Sequence, residues 1–172
     1  MTMIMQINDA LWKTYVELGT TAYNNRQHKL ADKMLQTALI EAERMAYGHS
    51  PRISAFQILA SIYYEHGNYD RASAVYERAL SLYQRMLGNK HAQIEHIWLN
   101  LANLYYSQNK HPQAASLYER YLSSKRNSNN PTKLMVETLS KLAGAYCSMG
   151  RYEDAQTITS KVESLKKQLV QD

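Results

Sequence analysis

LANLYYSQNKHPQAASLYERYL, residues 101–122, is the stretch that decides the fold. Leu101, Ala102, Leu104 and Tyr105 fall at the three- and four-residue steps of one helical face, and a polar turn, SQNK, follows. A second amphipathic run then carries Ala114, Leu117, Tyr118 and Leu122. The stretch therefore predicts two helices joined by a short turn.

The same pattern occurs three more times. LGTTAYNNRQHKLADKMLQTAL (18–39), LASIYYEHGNYDRASAVYERAL (59–80) and LAGAYCSMGRYEDAQTITSKVE (142–163) align with it column by column. The copies begin 41 to 42 residues apart. Self-similarity at a fixed period is the signature of stacked supersecondary units, because one hairpin cannot bury its own apolar face.

Composition agrees. In 172 residues, 45% are apolar, with only six Gly and three Pro, a balance that favours helix over disorder or an all-β fold. Tyrosine dominates the aromatics, with 14 Tyr against one Phe. Rings with a polar tip suit surfaces that are half packed and half wet. The net charge of +5 is spread along the chain and interleaved with acids, as on a solvated surface. Cys147 stands alone, so no intrachain disulfide is expected, which points to a reducing, cytoplasmic setting. No run matches the roughly 18 apolar residues of a membrane span, and MTMIMQI at the start has no basic residue before it, unlike a secretory leader.

The expected architecture is all-α: a right-handed α-solenoid of four helix-turn-helix repeats with eight main helices. Residues 1–8 read as a tail or short extra turn, with Asn8 or Asp9 capping the first helix. Residues 9–170 read as one domain, its repeats at about 11–50, 51–90, 91–130 and 131–170. Leu18, Leu59, Leu101 and Leu142 form a packing column. So do the small residues Gly19, Ala60, Ala102 and Ala143, and Ala31, Ala72, Ala114 and Ala155, which let paired helices approach. Tyr63, Tyr105 and Tyr146 fill the space between helices. Gly67 suits a left-handed helix end. Pro51 and Pro131, each behind a capping residue, mark helix starts. Cys147 reads as a small buried filler.

These columns resemble the tetratricopeptide repeat, through Trp98, Leu101, Ala102, Tyr105, His111, Ala114 and Tyr118, and through Phe56, Leu59, Ala60, Tyr63, Gly67, Tyr69, Ala72, Tyr76 and Ala79. The repeat exceeds the usual length of about 34 residues. Long repeats with the connectors GHSP (48–51) and GNKH (88–91) are similar to those of kinesin light chains. The resemblance implies a concave groove lined by the first helix of each repeat, which binds a protein or peptide.

On those first helices one stripe shares a face. It places Tyr23, Gln57, Ser61, Tyr64, His96, Leu99, Asn103 and Tyr106 toward a partner, flanked by Asn100 and Lys141. Two readings of its tyrosines stay open: they line a groove, or they wedge between neighbouring repeats. His96 and Asn100 stand where a clamp for a terminal carboxylate would need basic residues, so that clamp is not expected.

Nothing in the chain suggests catalysis. There is no Gly-rich phosphate loop and no HExxH, and the six His fall mostly at helix ends. The reading is a non-enzymatic interaction module without cofactor or metal, an adaptor, assembly or chaperone-like scaffold. The alternatives are RNA binding through the basic surface, and a subunit that self-associates through its N-terminal segment.

Overall fold

In a computed structural model the described residues are 2–44, 49–87, 92–126 and 132–171. The connector residues 45–48, 88–91 and 127–131, which include Gly48 of GHSP, all of GNKH and Pro131, lie outside them. The described residues form eight helices and no strand: α1 (Thr2–Asn24), α2 (His28–Arg44), α3 (His49–Glu65), α4 (Tyr69–Leu87), α5 (Ala92–Ser107), α6 (His111–Ser124), α7 (Lys133–Ser148) and α8 (Tyr152–Gln171). The four helix-turn-helix repeats expected from the sequence are present. The chain divides into two compact units, residues 1–81 and 82–172.

All four hairpins close by one device. Gln27, Asn68, Lys110 and Arg151 each donate a backbone N–H to the carbonyl five residues back, on Ala22, Tyr63, Tyr105 and Tyr146, at 2.8 to 2.9 Å. This is the six-to-one bond of a Schellman helix end, which needs a left-handed residue just before the donor. That residue is Arg26, Gly67, Asn109 or Gly150, with φ of 58°, 73°, 59° and 75°. Sequence reading finds the position only where it is glycine. Arg26 and Asn109 adopt the same backbone because the hairpin imposes it.

In the first unit α1 pairs with α2, and α2 meets α3. The pairing of α1 and α2 depends on Gly19: a Cβ there would sit 2.7 Å from the side chain of Leu35, which is fully buried. Ala31, Leu35, Ala38, Phe56 and Leu59 make a dry core. Burial of a Phe or Leu contributes about 1.5–3 kcal/mol before entropy is counted. Asp32 ties three helices: its carboxylate accepts from the Tyr23 hydroxyl of α1 at 2.9 Å and pairs with Arg71 of α4 at 3.0 Å. Arg78 of α4 pairs with Glu43 of α2.

In the second unit α5 pairs with α6, α7 with α8, and α6 packs on α7. Val136, Leu139 and Val162 cluster with Leu122, Ile158, Leu165 and Leu169. Thr132 caps α7, its hydroxyl accepting from the Met135 N–H at 3.2 Å. Pro112 occupies the first turn of α6, where a missing N–H costs nothing.

The alanine column is buried as expected, and so are Tyr63 and Tyr146. Three local readings differ. Leu18 is 49% exposed, whereas Leu59, Leu101 and Leu142 are buried. In the second unit α6 covers the α7 face of Val136 and Leu139 through Leu122, but no described helix precedes α1. Cys147 is exposed rather than a buried filler. Helix α1 starts at Thr2, without a break at Asn8 or Asp9, because no Gly or Pro interrupts it before Gly19.

Candidate functional site

The stripe residues lie on first helices and sort by unit. In the first unit, Tyr23 is buried. Its ring stacks on His66 at 4.3 Å and meets Tyr63 and His28 edge-on at 6.2 and 5.7 Å. Burial, reinforced by its hydrogen bond to the Asp32 carboxylate, pushes its phenol up to about 12. Gln57 is half-buried and Ser61 is exposed. Tyr64, 45% exposed, rests edge-on against Tyr69 at 5.1 Å.

The contact between Tyr64 and Tyr69 recurs. Tyr23 meets His28, and Tyr106 meets His111 at 5.2 Å, each time across the hairpin turn at the same two columns. In the fourth repeat Cys147 replaces the ring opposite Tyr152, and Tyr152 is 70% exposed.

In the second unit α5 supplies His96, Leu99, Asn100, Asn103 and Tyr106, while α7 supplies Lys141. Leu99 is buried and Asn100 half-buried; His96, Asn103 and Lys141 are exposed. Asn103 is the centre of a polar network. Its side-chain oxygen accepts from the Tyr118 hydroxyl at 2.8 Å and from Lys141 Nζ at 2.7 Å. Lysine only donates, so the atom facing it must be the amide oxygen, and the amide NH₂ is turned away from both. The residues of three helices thus hold one amide in a single orientation. Tyr106 lies over Gly144: a Cβ on that glycine would be 2.6 Å from the phenol oxygen. A side chain there would displace the ring.

Behind this network, Tyr146 donates to Glu119 at 2.7 Å, and the Arg151 guanidinium sits 4.2 Å above the Tyr146 ring. Burial and the neighbouring Glu119 carboxylate push the Tyr146 phenol up to about 12. Burial raises Tyr118 as well. These phenols stay neutral donors throughout the physiological range.

The structure joins Asn103 to Lys141 and sets Tyr106 over Gly144 in the second unit, while Asn100 lies on α5, and Gln57, Ser61 and Tyr64 lie on α3 in the first. Sequence reading did not find Asp32, Arg71, Glu119 or Tyr118 as partners of the stripe. Tyr118 matched a packing column, and nothing in its spacing announces a hydroxyl aimed at Asn103. A cleft of about 580 Å³ in the second unit is lined by Gln84, Trp98, Ser116, Glu119, Arg120 and Ser123, none of them stripe residues. No cluster of His, Cys, Asp or Glu among the described residues could hold a metal ion, and no described helix is long and apolar enough to cross a membrane.

Residues 51–127 match the family model of the tetratricopeptide repeat. No curated protein sequence matches the chain. Among solved structures, BtubC (BKLC) from P. vanneervenii superposes with a TM-score of 0.69 at 21% identity, over 94% of this chain and 65% of that one. The present chain therefore spans less than two thirds of that protein's structure. Nearly identical TPR-like repeats of a P. anserina kinesin light chain type give 0.68 at 18% identity, over 94% and 77% of the two chains. The N-terminal domain of stress-induced protein-1 from C. elegans gives 0.52 at 16% identity, over 70% and 99%. Such identities speak to fold alone. The chain therefore has the fold of a helical repeat protein similar to tetratricopeptide-repeat structures, among them the kinesin light chain-type repeats, and residues 51–127 carry that family's pattern.

Proposed function

We propose that the chain is a non-enzymatic protein-interaction module, an adaptor or assembly scaffold of the cytoplasm that holds a peptide or partner helix on the inner faces of its first helices. The observation that carries this reading is the Asn103 network. An exposed amide held by Tyr118 and Lys141 is preorganised, so a partner's backbone can pair with it at little cost in side-chain entropy. Around it, Tyr106, Asn100 and His96 supply a ring and further polar groups, with buried Leu99 as support. Tyr64, Ser61 and Gln57 offer a second patch on α3, backed by Tyr23. Exposed rings beside sparse polar anchors have the composition of interface centres.

Selection from a displayed peptide library tests this. Peptides enriched on the native chain should lose binding to Lys141→Ala and to Tyr64→Ala, with both variants melting near the native temperature. No enrichment, or equal binding by the variants, sinks the reading. Tighter capture of single-stranded RNA, falling steeply with salt, would move it to nucleic acid.

A further inference from the structure

Arg78 in VYERAL and Arg120 in LYERYL occupy the same column of the repeat. Arg78 is held within the first unit. Its Nε and Nη2 grip both oxygens of Glu43, with Nη2 2.7 Å from Oε2. By the same column alignment the counterpart of Glu43 is Gln84. Where one arginine has a carboxylate, the other has an amide at the corresponding position. An amide cannot neutralise a guanidinium. Arg120 has no ion-pair or hydrogen-bond partner among the described residues.

The space beside Arg120 is open. Arg120 and Gln84 both line the cleft of about 580 Å³, together with Trp98, Ser116, Glu119 and Ser123. Ser116, Arg120 and Ser123 recur at steps of four and three, so they share a face of α6. Trp98 is only 6% exposed, and its indole N–H meets no acceptor. A buried donor without a partner is uncommon. Packing does not require it, since the same column holds Phe56 and Leu139, which are buried as fully and carry no polar side-chain atom. The groups short of a partner here are thus donors, the guanidinium with five N–H and the indole with one. Glu119 is the acid of the lining, and its Oε1 already accepts from Tyr146. It does not bar a second carboxylate, because Arg78 also follows a glutamate, Glu77, and still holds Glu43.

We infer that this cleft binds a carboxylate carried on a short methylene stem, which takes against Arg120 the place that Glu43 takes against Arg78. Arg120 meets both carboxylate oxygens as a fork, the geometry in which arginine binds acids most strongly. The Ser116 and Ser123 hydroxyls stand on the same face to donate, and the indole of Trp98 gives the stem an apolar wall. A glutamate side chain of a partner polypeptide and a free short-chain acid share this chemistry. The cleft has no residue in common with the stripe on the first helices, so it stands apart from the peptide groove proposed above.

Nuclear magnetic resonance of the ¹⁵N-labelled full chain tests this through the Trp98 indole N–H, told apart from that of Trp12 by Trp12→Phe. The probes are glutamate blocked as N-acetyl amide, pentanoate, and glutamine blocked in the same way, each titrated against equal sodium chloride. The two acids should shift the Trp98 signal saturably, with midpoints in the millimolar range expected for ligands of this size. Tighter binding of blocked glutamate assigns the group to a partner chain, and tighter binding of pentanoate to a free acid. Arg120→Gln should weaken both roughly tenfold or more. Gln84→Glu supplies the missing carboxylate from within the chain and should weaken them as much, with an unchanged helical signal in both variants. Lys141→Ala, in the stripe, should bind as the native chain does. No saturable shift overturns the inference. So does equal binding of blocked glutamine, binding that survives Arg120→Gln or Gln84→Glu, or binding lost in Lys141→Ala.

Discussion

Tyr23 and Tyr106 occupy the same column of the repeat, yet the two units use them differently. In the first unit Tyr23 is buried, stacked on His66 and hydrogen-bonded to an Asp32 that also holds Arg71. The ring is a structural wedge. In the second unit Tyr106 is half-buried over a glycine, and the polar work passes to Asn103, three residues earlier, which Tyr118 and Lys141 hold in place. A repeat column therefore sets where a side chain lies. Whether it supports the fold or faces outward depends on the neighbours that the next helix brings.

Removing the two rings of the first-unit stripe should show the contrast most strongly. Tyr23→Ala opens a cavity and strips a donor from Asp32, so it should cost about 3–5 kcal/mol, by analogy with other large-to-small core changes. Tyr64→Ala, at 45% exposure, should cost less than about 1 kcal/mol. Urea unfolding followed by circular dichroism measures both, and equal losses would erase the distinction between wedge and surface ring.

The polar centre of the second unit should give the next largest effect. Asn103→Leu leaves the Tyr118 hydroxyl without its acceptor. Tyr118 is 0% exposed, so the change should cost about 1–3 kcal/mol. Adding Tyr118→Phe removes the stranded hydroxyl and should recover much of that loss. A double variant no more stable than Asn103→Leu alone would show that the bond contributes little to the fold.

The smallest effect lies in the turns. Arg26 in the first unit holds the left-handed position that Gly150 fills in the second. Arg26→Gly should therefore stabilise the chain by about 0.5–1 kcal/mol. Asn109→Gly should gain less, because Asn tolerates that conformation better. Chemical denaturation of the two variants ranks them, and a loss on Arg26→Gly would mean that its side chain contributes contacts beyond the turn.

Much of this was legible from residue order. The period predicts four hairpins, and the alanine column predicts close helix pairs; Ala31, Ala72 and Ala114 are 0% exposed. Leu18 was misread because column alignment assumes the same neighbours for every copy, whereas burial depends on which helices pack around each one. Cys147 was misread for a related reason: it stands in the column of Tyr23, Tyr64 and Tyr106, and that position in the fourth repeat is exposed. The role of Asn103 stayed hidden because its two partners lie 15 and 38 residues away, and spacing along one helix says nothing of what faces it from another.

Helix, turn and repeat length came from the sequence alone, since they follow from local periodicity and from the conformational limits of each residue. Tertiary structure alone decided which members of a column are wedges and which are surface, and which carboxylate meets which phenol. Those outcomes depend on distances between helices far apart in the chain, and hydrogen bonding and burial act through those distances.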